Sequence, residues 1–227
     1  MPGDYYTEKL SAYRLRRVYE IAPRRVQQYL QAEANHVLGK INPADTVLEL
    51  GCGYGRILPL LAQKAHRVVG IDTSLDSLVM GHAQLGGYSN CFLSQMDAIQ
   101  LAFRQGCFDV AVCIQNGISA FHVDQRRLIE ESLRVVRPGG LALFSSYSEK
   151  FWENRLKWFR LQSEAGLLGE IDLEKSRDGR IVCKDGFTAT TVGPDDFLSL
   201  TRDLHAQAHL VEVDESSLFC EITPRSS

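Results

Sequence analysis

Gly51, Gly53 and Gly55 stand at every second position directly after the apolar run Val47-Leu48-Glu49-Leu50. Glycine adopts positive φ without a Cβ penalty, so such a turn lets backbone amides come close to a ligand. A helical pattern starts at once in Ile57-Leu58-Pro59-Leu60-Leu61. Strand, glycine turn and helix start form the geometry in which a nucleotide-like cofactor meets backbone amides. The spacing separates cofactor classes. A dinucleotide turn places its third glycine three residues after the second. Arg56 stands there instead, and the third glycine comes one residue early. The competing reading of the three glycines is an ordinary strand-to-helix turn.

Other residues could carry chemistry beside that turn. Asp72 ends a second apolar run, Arg67 to Ile71. A carboxylate there can accept hydrogen bonds from both hydroxyls of a ribose, or it can serve as a helix-capping or turn aspartate. Thr73 and Ser74 line the same edge, and either can cap the following helix. A fourth apolar run, Phe108 to Ile114, ends in Gln115 and Asn116. Their amides can orient a polar acceptor without titrating, or simply cap the strand and hold the loop. His122 lies four residues past Ile118. It is a candidate general base, set against a solvent-facing or structural histidine.

Metal and nicotinamide chemistry find little support. His205 and His209 have no glutamate beside the first and no third ligand, and none of the six cysteines forms a C-x-x-C pair. Tyr147 and Lys150 lack the spacing of the dehydrogenase Tyr/Lys pair.

These residues need elements to position them. Up to Ser146 the chain alternates apolar strands with helical patterns, the signature of an α/β doubly wound, mostly parallel sheet. The strands read as 46–50, 67–71, 91–93, 108–114 and 141–146. Arg137-Pro138-Gly139-Gly140 reads as a helix stop. Two further strands, 209–213 and 217–222, are joined so closely that they must form an antiparallel hairpin. Seven strands in the order 3-2-1-4-5-7-6 follow, with the last strand antiparallel. N-terminal helices precede the sheet, and an insertion after strand five holds an aromatic-basic helix, Phe151 to Arg160, and a hairpin at Asp178-Gly179 or Asp185-Gly186.

The chain of 227 residues suits one domain. Residues 1–40 read as a helical lid, 41–147 as the cofactor-binding core, 148–192 as a substrate cap and 193–227 as the closing helix and hairpin. A net charge of −3 gives no global basic field for nucleic acid or anionic membrane. No stretch is long enough to span a membrane and no apolar signal core opens the chain, so a cytoplasmic protein is expected. Oligomeric state is not legible.

The run from Glu49 to Gly55, with its acid two residues before the first glycine, resembles motif I of class I S-adenosylmethionine-dependent methyltransferases. The likeness extends over roughly residues 46–146 and the closing hairpin. It implies the seven-stranded Rossmann-like fold, S-adenosylmethionine as cofactor and S-adenosylhomocysteine as product. Gly51, Cys52, Gly53 and Gly55 would then meet the methionine part, with Cys52 a small filler. Glu49 would order the loop or meet the cofactor's ammonium group. Asp72 would take the ribose, and Asp97 with Ala98 the adenine. Gln115 and Asn116 would face the methyl group and the acceptor. Tyr5 and Tyr13, on an N-terminal tyrosine-bearing helix, would close over the cofactor. The Pro-Pro-aromatic signature of DNA and RNA amino methyltransferases is absent after Asn116, so the resemblance implies a small-molecule acceptor. An RNA or protein methyltransferase and a non-catalytic S-adenosylmethionine-binding subunit are the alternatives.

Overall fold

The computed structural model of the chain describes residues 10–225. Tyr5 lies outside the described residues. Two helices come first, α1 (Ala12–Glu20) and α2 (Arg24–Lys40). The core strands are β1 (Thr46–Leu50), β2 (Arg67–Asp72), β3 (Cys91–Gln95), β4 (Phe108–Cys113) and β5 (Val136–Tyr147). Helix α3 (Leu58–Lys64) links β1 to β2, and α4 (Leu75–Gln84) links β2 to β3. A short α5 (Gly117–Ala120) and α6 (Gln125–Val135) link β4 to β5. The insertion holds α7 (Trp152–Glu164) and a two-stranded hairpin of β6 (Ile181–Val182) and β7 (Thr188–Ala189). Helix α8 (Pro194–Thr201), β8 (Ala206–Val213) and β9 (Ser217–Pro224) close the chain.

The main sheet has seven strands in the order β3-β2-β1-β4-β5-β9-β8. Once the insertion's two strands are numbered, this is the order expected from the sequence. The first five strands pair in parallel. β9 is antiparallel to both β5 and β8. It therefore sits inside the sheet, and β8 takes the edge. Strand order reverses between β1 and β4, so the carboxyl ends of these two strands flank the crevice where open α/β sheets take ligands.

Burial explains the near-continuous apolar strands. Adjacent residues of a strand point to opposite faces, and both faces here are covered. Leu48, Ile71 and Phe144 pack with Leu128 and Ile129 of α6 on one side. Val47, Val68 and Leu143 pack with Val37 of α2 and Leu58 of α3 on the other. A third cluster joins Val18 of α1 and Tyr29 of α2 to Tyr147, Phe151, Trp158, Phe159 and Phe187. It seats α1 and the insertion together at the carboxyl end of β5.

Two expectations needed correction. β5 starts at Val136, so Arg137-Pro138-Gly139-Gly140 belongs to the strand; a register shift between Phe108 and Val110 absorbs the irregularity. Both candidate turns in the insertion are used. Asp178 and Gly179 take positive φ inside an Arg177–Arg180 bridge, while Gly186 closes the β6–β7 hairpin.

Candidate cofactor and acceptor cavity

The glycine turn is a tightly bonded reversal. Cys52 N–H donates to Ile71 O at 2.9 Å and Gly55 N–H to Cys52 O at 2.8 Å. Gly51 and Gly53 have φ of +68° and +56°, in the left-handed region that favours glycine. A Cβ on Gly51 would stand 2.3 Å from the Phe121 ring, and one on Gly53 2.8 Å from Leu15. Both line a cavity of about 380 Å³ at the carboxyl ends of the strands. Gly55 lies outside its lining; a Cβ there would press on Leu58 at 3.0 Å, so this glycine serves turn and helix packing.

Asp72 fastens the turn to the next helix. One carboxylate oxygen accepts from Gly53 N–H and the other from Ser74 N–H, both at 2.8 Å. Burial raises its pKa, and these backbone donors oppose the rise. Asp72, Thr73, Ser74, Met96, Asp97 and Ala98 all line the cavity on its β2–β3 side. Ser74 is also the N-cap of α4, accepting from Ser77 N–H at 3.2 Å. Asp97 accepts from Ile99 N–H at 3.0 Å.

A smaller polar recess of about 40 Å³ lies beside the main cavity and shares Tyr19, Gly51, Gly53 and Gln115 with it. Glu49, Cys52 and Arg56 line the recess only. Glu49 is buried, and among the described residues its Oε2 has no hydrogen-bond partner. Burial pushes its carboxyl up to about 8, with Arg56 pulling the other way. Arg56 lies 5.0 Å from the Tyr19 ring centroid. Among the described residues no carboxylate is in ion-pair contact with it. Turned to satisfy its neighbours, the Gln115 amide donates to Tyr19 hydroxyl at 2.6 Å and accepts from Arg56 Nε at 3.2 Å. Sequence spacing marked Arg56 only as a break in the dinucleotide pattern.

Gln115 and Asn116 take φ of +56° and +61°, an uncommon left-handed pair for residues with side chains. Buried groups hold that pair in place. Gln115 N–H donates to Ser145 Oγ at 2.9 Å and to Glu33 Oε2 at 3.1 Å. Glu33, fully buried on α2, also accepts from Ser145 and Ser217 hydroxyls at 2.6 and 3.0 Å. Burial pushes it up to about 7, opposed by those donors. Asn116 accepts from Ser146 Oγ and donates to Thr190 O, both at 2.8 Å. Its amide thus ties β5 to the insertion and does not line the cavity, whereas Gln115 does.

Two other candidates lie apart. His122 is exposed with φ +52° and lines neither cavity; its neighbour Phe121 lines the larger one. Tyr13 is 69% exposed, because α1 turns it outward and presents Leu15, Val18 and Tyr19 to the cavity. The cavity's remaining wall is Tyr147 with Trp158, Phe159 and Gln162 of α7. The aromatic-basic pattern of that helix was legible, but which of its residues face inward was not. Glu33 left a signal too, as an acid on the stripe formed by Val26, Leu30 and Val37. Among the described residues no cluster of His, Cys, Asp and Glu could hold a metal ion.

A doubly wound sheet with a glycine turn after β1, an acid ending β2 and another after β3 is the arrangement of the class I, Rossmann-like methyltransferase fold. Residues 47–140 match the family described as "Methyltransferase domain". It is 30% identical over 135 residues to a ubiquinone biosynthesis O-methyltransferase of Acinetobacter baumannii (strain AYE), covering 58% of this chain and 53% of that protein. It is 29% identical over 125 residues to a 2-methyl-6-phytyl-1,4-hydroquinone methyltransferase of Synechocystis sp., covering 51% and 39%. The chain thus spans about half the length, or less, of the curated relatives it matches. In fold it is similar to the N-methyltransferase NodS from Bradyrhizobium japonicum in complex with S-adenosylhomocysteine. The TM-score is 0.63 at 16% identity, covering 99% of this chain and 100% of that one.

Proposed function

We propose that this chain transfers a methyl group from S-adenosylmethionine to a small-molecule acceptor. The observation that carries the reading is the recess between Glu49 and Arg56. Among the described residues, a buried carboxylate with an oxygen that has no hydrogen-bond partner and a guanidinium that has no carboxylate partner face one small polar space. An α-amino-acid head, cation and anion on one carbon, satisfies both at once. A nicotinamide or simple nucleotide cofactor has no such head.

The other residues fit the rest of the cofactor. Asp72, Asp97 and Ala98 line the cavity; each Asp72 oxygen can accept a second hydrogen bond and would take a ribose hydroxyl, and Asp97 with Ala98 would take the adenine. When bound, the cofactor supplies an already activated sulfonium methyl. The chain's task is therefore to hold donor and acceptor in line, an effect that can reach about 7–11 kcal/mol. Tyr19 and Gln115 stand between the recess and the main cavity and would fix the donor's position. Val18, Trp158 and Phe159 exclude water from the far end. The names of the curated relatives, with ubiquinone biosynthesis and a hydroquinone, support a small-molecule acceptor. Six free cysteines fit a reducing, cytoplasmic setting.

Calorimetric titration with S-adenosylhomocysteine tests the reading. One site per chain is expected, and Asp72→Ala should weaken binding by at least roughly tenfold, since each hydrogen bond to a charged group contributes about 1.5–3 kcal/mol. No binding to the wild-type protein would overturn the reading. Unchanged affinity in a folded Asp72→Ala variant would remove Asp72 from the ribose.

A further inference from the structure

The far end of the main cavity has a chemistry of its own. Its wall is Tyr147 from β5 with Trp158, Phe159 and Gln162 from α7. Among the described residues, the carboxylates lining the cavity, Asp72 and Asp97, sit at the opposite, β2–β3 side. The Trp158 indole N–H is taken by Val18 O at 3.0 Å, which leaves its ring as an apolar surface. Gln162 differs from its neighbours. It is 2% exposed and lines the cavity, yet its side-chain amide makes no hydrogen bond within the described residues. An amide that faces the cavity without a protein partner is placed to take a polar ligand atom.

Charge behind the wall narrows the ligand. Arg155, fully buried, stacks its guanidinium 4.5 Å from the Tyr147 ring centroid and 5.5 Å from that of Phe159. Its N–H groups donate to Gly179 O at 2.6 Å and to Ala189 O at 3.1 Å, which fixes it there. A cation against the aromatic wall disfavours a second cation in the chamber and favours an anion. The pocket therefore suits a flat ring carrying negative charge, and it is a poor cage for an ammonium ion.

We propose that Gln162 is the acceptor-recognising residue of this cavity, and that its ligand is an aromatic ring with an acidic hydroxyl, bound as the phenolate. The proposal rests on the methyltransferase reading above. The ring packs on Trp158 and Phe159, and the Gln162 amide N–H donates to a ring oxygen. The phenolic proton leaves to solvent as the ring binds. A lone pair of the phenolate oxygen then forms the new C–O bond to the methyl carbon. The C–S bond breaks with its electron pair going to sulfur, so the sulfonium charge and the phenolate charge vanish together. No side-chain base is required, which agrees with a far wall whose only ionisable group among the described residues is the Tyr147 hydroxyl. The other charged or titratable groups facing this region are Tyr19 from α1, Tyr29 and Glu33 from α2, and Glu49 and Arg56 at the recess. Arg155 draws the Tyr147 hydroxyl toward ionisation while burial pushes it up to about 12. The acceptor differs from Tyr147 in meeting the donor's positive charge as well.

The test uses the full chain saturated with S-adenosylhomocysteine and 4-nitrophenol as the probe, because its phenolate absorbs in the visible. At a pH about one unit below the free probe's pKa, where little of it is ionised, binding should raise the phenolate fraction severalfold. Gln162→Leu should weaken probe binding roughly tenfold, and Gln162→Glu should weaken it further and abolish the spectral gain, both with S-adenosylhomocysteine affinity unchanged. Probe affinity unaltered in Gln162→Leu would overturn the role of Gln162. A phenolate fraction that stays level or falls on binding would overturn the ionised form. Tighter binding of benzylamine than of nitrophenol, or no nitrophenol binding by protein that holds S-adenosylhomocysteine, would overturn the acceptor class. Failure of the wild-type protein to bind S-adenosylhomocysteine would instead overturn the methyltransferase reading.

Discussion

Glu49 is the residue whose ionisation the ligand should change most. Its carboxyl is pushed up to about 8 by burial, so at neutral pH it is largely protonated before binding. An ammonium group placed beside it favours the carboxylate and expels the proton. Below pH 8, binding of S-adenosylhomocysteine should release a proton, and affinity should rise with pH toward that value. Calorimetry in buffers of different ionisation enthalpy measures the release, and Glu49→Gln should abolish it. Glu33 gives a stability prediction at the same scale. Its pKa is raised from 4.5 to about 7, so the folded chain binds the extra proton and stability falls as pH rises through that window. Melting curves of Glu33→Gln should therefore gain on wild type between pH 5 and pH 8. A constant difference across that range would contradict a buried, ionising Glu33. Single residues were also where the sequence was least legible. Glycine, Asp72 and Asp97 announce themselves by type and spacing. Arg56 and Gln162 do not, because their roles depend on which cavity a helix start or an inserted helix happens to face.

At the scale of elements, α1 and α7 form one unit over the cavity. Trp158 of α7 donates to Val18 O of α1 at 3.0 Å, and Arg14 of α1 reaches back to Gly166 O at 2.8 Å. Tyr19 packs against both Tyr54 and Trp158, at 6.2 Å between centroids in each case. Trp158→Phe keeps an aromatic ring but loses the hydrogen bond, at a cost of about 1 kcal/mol, and with it part of the buried packing. It should loosen α1, seen as faster proteolysis near residues 12–20, and S-adenosylhomocysteine should restore protection. Equal cleavage rates would show that α1 is held by packing alone. The core strands were readable because each buried run is apolar and ends at a turn residue. β5 was misjudged at its start, because Pro138 and two glycines suit a loop and only pairing with β4 holds them as strand. The insertion was opaque for a related reason. Its apolar residues pack on α2 and on Tyr147, and no local period records a partner far away in the chain.

For the whole molecule, the decisive fact is where the polarity sits. The sheet's switch point between β1 and β4 sets the crevice, and the chain order then places opposite charges in the recess, carboxylates at β2–β3 and aromatic rings at the insertion. That gradient runs from charged to aromatic across one cavity, as a donor with an amino-acid head, a ribose and a base needs on one side and an aromatic acceptor on the other. Its central element is the recess of Glu49 and Arg56, and this can be tested without knowing the acceptor. Calorimetry should compare S-adenosylhomocysteine, methylthioadenosine, which lacks the amino-acid head, and NAD. The account predicts binding of S-adenosylhomocysteine, a loss of roughly a hundredfold or more with methylthioadenosine as two charge-assisted contacts disappear, and no competition by NAD. Equal affinity for S-adenosylhomocysteine and methylthioadenosine, or tighter binding of NAD, would contradict it.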